Sequence, residues 1–74
     1  MKKLIVKFKN LYNLTTDEIE NRKATIVISG FSLVCTLTHI EDDYVYGVSY
    51  HNGEDNLLIE LNNEKHTMSF EFNK

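Results

Sequence analysis

The sequence predicts a mainly β domain, or an α+β domain if its one short helix in the N-terminal half is counted, with a five- or six-stranded antiparallel sheet or small barrel. Apolar and polar residues alternate along most of the chain, and β-branched and aromatic residues are frequent in those stretches. Turn-forming residues separate the stretches. Because no linker or repeat divides the 74 residues, we expect a single domain over residues 1–74.

The first segment is predicted to be a half-buried strand with a basic outer face. Its inner face carries Leu4, Val6 and Phe8. Its outer face carries Lys3, Lys7 and Lys9, and only Ile5 interrupts the alternation. Because outward lysines discourage pairing at a sheet edge, this strand is expected at an edge that resists self-association.

A short helix of about two turns is predicted after the first strand. Thr15 and Glu18 fit the N-cap and N3 positions of a capping box. Leu14 and Ile19 occupy the two positions of a hydrophobic staple. Too few apolar residues follow to anchor a longer helix.

The stretch 24–39 is predicted to be strand, because it is rich in β-branched residues and alternates. Phe31, Leu33 and Leu37 share one face there and are expected in the core. Gly30 either forms a tight turn or bends one long strand, as in small barrels. The number of strands, and whether the sheet closes into a barrel, therefore stay open.

The C-terminal half is predicted to be a meander. Strand 44–51 is followed by Asn52 and Gly53, the strongest short-range signal for a hairpin, because a type I′ turn needs positive φ at both central residues. Strands 57–61 and 66–72 alternate in the same way. We expect the last strand to lie at an edge, so that a homodimer, if one forms, pairs through this C-terminal edge strand or the strand beside it.

Composition indicates a protein of a reducing compartment. Cys35 is the one cysteine, so no internal disulfide can form. The N-terminal apolar run of three residues is shorter than a signal peptide requires, and no segment approaches the roughly 18 apolar residues of a membrane span. We expect a cytoplasmic protein without membrane association.

No pattern in the chain specifies catalysis, a cofactor or a metal. Cys35 falls in the apolar register of its strand and is expected to be buried as a small hydrophobe. The histidines, His39, His51 and His66, have no second histidine or cysteine at a metal-ligand spacing. We therefore predict that the protein is not an enzyme and has no cofactor or metal site.

The charges are unevenly distributed along the chain. Residues 1–10 carry four lysines and no acid, whereas the remainder carries eleven acids and four cations. The acids cluster at predicted turns, and tyrosines border them. The predicted partner-binding residues are Glu41, Asp42, Asp43, Tyr44, Tyr46, Glu54 and Asp55. Tyrosine beside carboxylate suits contact with a positively charged protein surface.

These observations predict a small inhibitor or regulator that blocks a basic, nucleic-acid-binding surface of a larger protein. Small acidic proteins of phages and mobile elements, anti-CRISPR proteins among them, act in this way, and the analogy rests on size and charge alone. The alternative is a small barrel that binds single-stranded nucleic acid. Its residues would be Lys2, Lys3, Lys7, Lys9, Tyr44, Tyr46 and Tyr50. The net charge of −3 disfavours this alternative.

Overall fold

Alternating apolar residues build six strands, which form one curled sheet in the computed structural model that describes all 74 residues. The elements are β1 (Lys2–Lys9), α1 (Thr16–Ile19), β2 (Lys23–Ile28), β3 (Phe31–Glu41), β4 (Tyr44–His51), β5 (Leu57–Leu61) and β6 (Met68–Phe72). The strand order is β5-β1-β4-β3-β2-β6. The predicted mainly β class with one short helix is confirmed. The sheet is mixed, with one parallel pair, and does not close into a barrel.

Two tight turns connect the central strands. Ser29 and Gly30 join β2 to β3 with φ of 48° and 78°. Asp42 and Asp43 join β3 to β4 with φ of 50° and 66°. Positive φ at both central positions is the mark of a type I′ hairpin. Gly30 therefore belongs to a turn, which makes six strands.

The hairpin predicted at Asn52 and Gly53 does not form, and the prediction of a meander is wrong. Neither residue has positive φ, and β5 pairs in parallel with β1. β1 lies between β4 and β5, so its predicted edge position is also wrong. The loop 52–56 passes the start of β1, where the amide of Lys3 donates to Oδ1 of Asn56 at 3.0 Å. Alternation defines the buried face of a strand but does not name its neighbour, which explains the error.

The loop after β5 carries the chain from one edge of the sheet to the other. Asn63, a buried polar residue, anchors this loop to the end of β1. The amide of Lys9 donates to Oδ1 of Asn63 at 3.1 Å, and Nδ2 of Asn63 donates to the carbonyl of Lys9 at 2.8 Å. β6 then pairs with β2 at the opposite edge, as predicted for the last strand. A homodimer through that edge stays a prediction.

The core lies on the inner side of the curled sheet. Its buried residues are Leu4, Val6, Phe8, Ile19, Ala24, Ile26, Ile28, Cys35, Leu37, Val45 and Leu61. Leu37 is fully buried as predicted, and Leu33 is half-buried against this cluster. Phe31 is 46% exposed, so its predicted core position is wrong. It shares the face of Leu33 but lies at the hairpin end, beyond the packed layer.

The helix α1 begins as predicted and is shorter than predicted. Thr15 Oγ1 accepts from the amide of Glu18 at 3.3 Å, and Glu18 Oε1 accepts from the amide of Thr15 at 3.1 Å, which completes the capping box. Ile19 is the one buried residue of the helix, and Asn21 follows with a φ of 56°. A single buried residue supports one turn. No helix in the structure has the length and apolar character needed to cross a membrane.

Candidate functional site

Apolar side chains form a row across the outer face of the sheet. Ile5 on β1 is paired with Leu58 on β5 and with Val48 on β4. Tyr50 follows Val48 by two residues and therefore shares its face. Val34 on β3 lines a shallow cleft of about 190 Å³ together with Val48 and Tyr50. We call these five residues the apolar row.

Three members of the apolar row are exposed to solvent. Leu58 is 65% exposed, Tyr50 59% and Val34 51%. Neighbouring apolar side chains on a surface mark interaction sites, whereas single scattered ones do not. Tyrosine combines a large apolar ring with a polar hydroxyl, which suits it to the centre of a protein interface. The apolar row therefore has the composition of a protein-contact surface.

The predicted acidic cluster lies in the β3–β4 turn. Asp42 and Asp43 occupy its positive-φ positions, which Asp tolerates better than most residues. Lys9 Nζ lies 3.5 Å from Oδ2 of Asp43 and 3.7 Å from Oε1 of Glu64. The charge of Glu64, with that of Asp43, raises the pKa of Lys9. Lys9 thus offsets part of the negative charge of the turn, while Asp42 and the exposed Glu41 form no salt bridge.

The rings of Tyr44 and Tyr46 are half-buried and already in contact with other side chains. Lys7 Nζ lies 4.4 Å from the ring centroid of Tyr44 and 5.8 Å from that of Tyr46. His39 stacks on Tyr46, with centroids 4.5 Å apart and ring planes 4° from parallel. A bulge at Thr38 places His39 on this outer face. Tyr50 is therefore the most accessible tyrosine of β4.

Glu54 and Asp55 lie in the loop between β4 and β5, at the other end of β4 from the acidic turn. β4 has eight residues, which separates the two acidic groups by roughly 25 Å. The structure therefore brings residues 41–46 together and places Glu54 and Asp55 at the Tyr50 end of the apolar row.

The predicted partner-binding residues do not include the apolar row. Its signal in the sequence is an apolar residue on the polar face of an alternating strand. Ile5 interrupts the lysines of β1, and Leu58 lies between Asn56 and Glu60. Alternation does not predict that Ile5 and Leu58 are neighbours, because it defines the face of each residue but not the parallel pairing of β1 with β5.

Lysines and tyrosines also face each other across β1 and β4. The pairs are Lys3 with Tyr50, Lys7 with Tyr46, and Lys9 with Tyr44. This arrangement brings together six of the seven residues named for the nucleic-acid alternative. Glu60 is paired with Lys7 from the other side, so the lysines of this face have acidic neighbours as well.

The one thiol of the chain is buried. Cys35 packs against Gly47. A Cβ atom on that glycine would lie 3.1 Å from Sγ of Cys35. Burial raises the pKa of the Cys35 thiol to about 11. The thiol is therefore protonated at neutral pH. No group of three or more His, Cys, Asp or Glu side chains is arranged to hold a metal ion.

The fold and the outer face define a small mixed β-sheet protein with an exposed apolar row. Comparisons with protein-family models, with curated protein sequences and with solved structures gave no match.

Proposed function

We propose that the protein is a non-enzymatic binding module that inhibits or regulates a larger protein by covering a basic surface, with the apolar row at the centre of the interface. The observation that carries the proposal is the exposure of Tyr50, Val34 and Leu58 in one contiguous apolar row. Tyrosines at the centre of a packed patch contribute a large share of binding energy. A hydrogen-bonded sheet also holds such side chains in place, which lowers the ordering cost of association.

Acids at the two ends of β4 favour a basic partner, whereas the charged residues directly beside the apolar row are Lys3, paired with Tyr50, and Lys23, which lines the cleft. Glu54 and Asp55 lie at the Tyr50 end of the row, and Glu41 and Asp42 lie at the far end of the same strand without salt bridges. Exposed carboxylates steer a positively charged surface toward its contact position. Surfaces that bind nucleic acid are basic, because phosphate contacts dominate their affinity. Covering such a surface is the function that these acids support.

Partner capture with matched variants tests the proposal. The baits are the wild type, Tyr50→Ala and Val27→Ala. Val27 is a suitable control because it is 41% exposed on the outer face of β2, outside the apolar row. We expect a protein that is recovered with the wild type and with Val27→Ala and is depleted at least about tenfold with Tyr50→Ala, as for the loss of an interface anchor. Equal recovery of every captured protein by the three baits would contradict the proposal.

A charge variant tests whether the partner surface is basic. Glu54→Gln with Asp55→Asn removes two charges and keeps the side-chain shapes. We expect slower association with the purified partner and a weaker dependence of the association rate on salt, with the dissociation rate unchanged. Surface plasmon resonance at several salt concentrations measures both rates. An unchanged association rate would mean that this loop does not steer the partner.

The pairing of three lysines with three tyrosines favours binding of single-stranded nucleic acid as a second candidate. The contact of Lys7 with Tyr44 and the ion pairs of Lys9 weaken it, because both engage groups that would bind phosphates or bases. Titration of labelled single-stranded DNA and RNA at low and moderate salt compares the candidates. Tight binding that weakens steeply with salt would favour the second, and no binding at low salt would leave the first.

A further inference from the structure

A groove of about 510 Å³ runs along β5 at the seam where the curled sheet stays open. Ile59, Glu60 and Leu61 line one wall, and Ile28 and Phe31 at the β2–β3 hairpin line the other. Neighbouring residues of a strand point to opposite faces. A groove lined by three consecutive residues therefore follows the edge of β5.

This edge of β5 has no strand partner. β5 is the last strand of the sheet on its side and pairs only with β1. Outside its ladder with β1, the backbone of β5 makes one hydrogen bond to other backbone, in which the carbonyl of Leu61 accepts from the amide of Asn63 at 3.0 Å, so the other groups on its free side are available to an added strand. An edge beside an apolar groove is the arrangement that binds an extended peptide, because backbone hydrogen bonds supply affinity and alternate side chains enter the groove.

The edge of β5 also lacks the usual protection against added strands. Natural edge strands carry lysine, proline or bulges that prevent pairing. Leu57–Leu61 contains no lysine or proline, and its first two leucines are 49% and 65% exposed. Glu60 is the one charged residue of the strand. The edge is therefore open to an incoming strand.

The charges around β5 distinguish between occupants. Glu54 and Asp55, which precede β5, form no salt bridge, whereas Glu64, which follows it, is paired with Lys9 and precedes Lys65. A second copy of Leu57–Leu61 brings no lysine or arginine to meet Glu54 and Asp55. These two acids complement a segment with a basic residue at the end that lies beside them.

We propose that the edge of β5 and its groove bind an extended segment of a partner protein, with apolar residues at alternating positions and Lys or Arg at the end beside Glu54 and Asp55. The proposal rests on the proposed protein-binding function and names a mode of contact separate from Tyr50. It assigns Phe31 to the wall of the groove, which accounts for an aromatic ring left exposed at the hairpin end.

A phage-displayed library of random peptides of about 12 residues tests the proposal. We expect selection on the wild-type protein to enrich alternating apolar sequences with a basic residue at one end. Affinity of the enriched peptides should fall at least about tenfold with Phe31→Ser. The matched control is Val27→Ser, a substitution of a similarly exposed residue on the outer face of β2, outside the apolar row. It should change affinity less than about twofold.

Methylation of peptide amides tests the backbone contact without altering the protein. Two versions of an enriched peptide carry N-methyl groups at alternate sets of amides. One set should abolish binding and the other should not, because only one set faces β5. Retention of binding by both versions would overturn strand addition, and so would failure to enrich any peptide or equal affinity for Phe31→Ser.

Two further results separate this inference from its alternatives. If sedimentation shows a dimer that Glu60→Lys dissociates, the edge of β5 binds a second copy of the chain. That result would overturn the proposal. If no peptide binds while Tyr50→Ala still abolishes recovery of the captured protein, the proposed function is supported and strand addition is wrong. If peptides bind while Tyr50→Ala has no effect on capture, the apolar row is not the centre of the interface and strand addition is supported.

Discussion

The amide of Gly53 donates a hydrogen bond to Nδ1 of His51 at 2.9 Å, and the imidazole lies so close that a Cβ on Gly53 would be 2.6 Å from its Cε1 and Nδ1 atoms. Gly53 does not have positive φ. Glycine is therefore needed at position 53 because it leaves room for the imidazole of His51. A type I′ turn would have needed it for positive φ.

Gly53→Ala should destabilise the protein by about 1 to 2 kcal/mol, because the added methyl displaces the His51 ring and its hydrogen bond. The same substitution in a His51→Ala background should cost much less, because the ring is absent. Asn52→Ala is the control and should change stability by less than about 0.5 kcal/mol. Urea unfolding measures all four variants. Equal costs of Gly53→Ala in the two backgrounds would show that the ring is not the cause.

Leu37 and Phe31 lie on one strand in opposite environments. Leu37→Ala should lower the free energy of unfolding by about 2 to 5 kcal/mol, because Leu37 is fully buried and its removal leaves a cavity. Phe31→Ala should lower it by less than about 1 kcal/mol, because the ring is largely exposed. Thermal unfolding followed by circular dichroism gives the comparison. A larger loss for Phe31→Ala would place that ring in the core after all.

The β3–β4 turn constrains how its charge can be tested. Asp42 and Asp43 both have positive φ, a conformation that Asn tolerates and β-branched residues do not. Asp42→Asn with Asp43→Asn should keep stability within about 0.5 kcal/mol. Asp42→Val should cost about 1 to 2 kcal/mol. Equal stability of the Val and Asn variants would mean that the turn is not type I′. The Asn pair therefore removes charge without altering the backbone.

Cys35 should be unreactive in the folded protein. Its pKa of about 11 leaves roughly a hundredfold less thiolate at pH 8 than an unfolded chain has. Alkylation by iodoacetamide should be slower by at least that factor in buffer than in urea. Because the folded-state pKa is raised, the associated stability is present below pH 9 and is lost as pH rises through about 11. Equal alkylation rates in buffer and urea would contradict the burial of this thiol.

Local patterns in the sequence predict elements and faces well. Thr15 and Glu18 form the predicted capping box, and Leu37 is buried as its alternation indicates. Position along a strand is less determined, because alternation assigns Phe31 and Leu33 to one face without saying which lies beyond the packed layer. The sequence also predicts that the acids lie in turns, but it does not predict the ion pairs of Lys9, because these depend on tertiary contacts.

Strand neighbours are the part that the sequence does not contain. Asn52 and Gly53 satisfy the rule for a hairpin, and β4 and β5 are indeed antiparallel, but β1 is inserted between them. Pairing of β1 with β5 spans about fifty residues, and no local signal specifies a contact of that separation. The apolar row and the groove both depend on this pairing.

Nuclear Overhauser contacts in solution measure the parallel pairing of β1 with β5 directly. The parallel register predicts contacts between the side chains of Ile5 and Leu58 and between those of Val6 and Ile59. A hairpin centred on Asn52 and Gly53 would instead bring Val48 opposite Leu57. Contacts between Val48 and Leu57, with none between Ile5 and Leu58, would contradict the fold and remove both the apolar row and the groove.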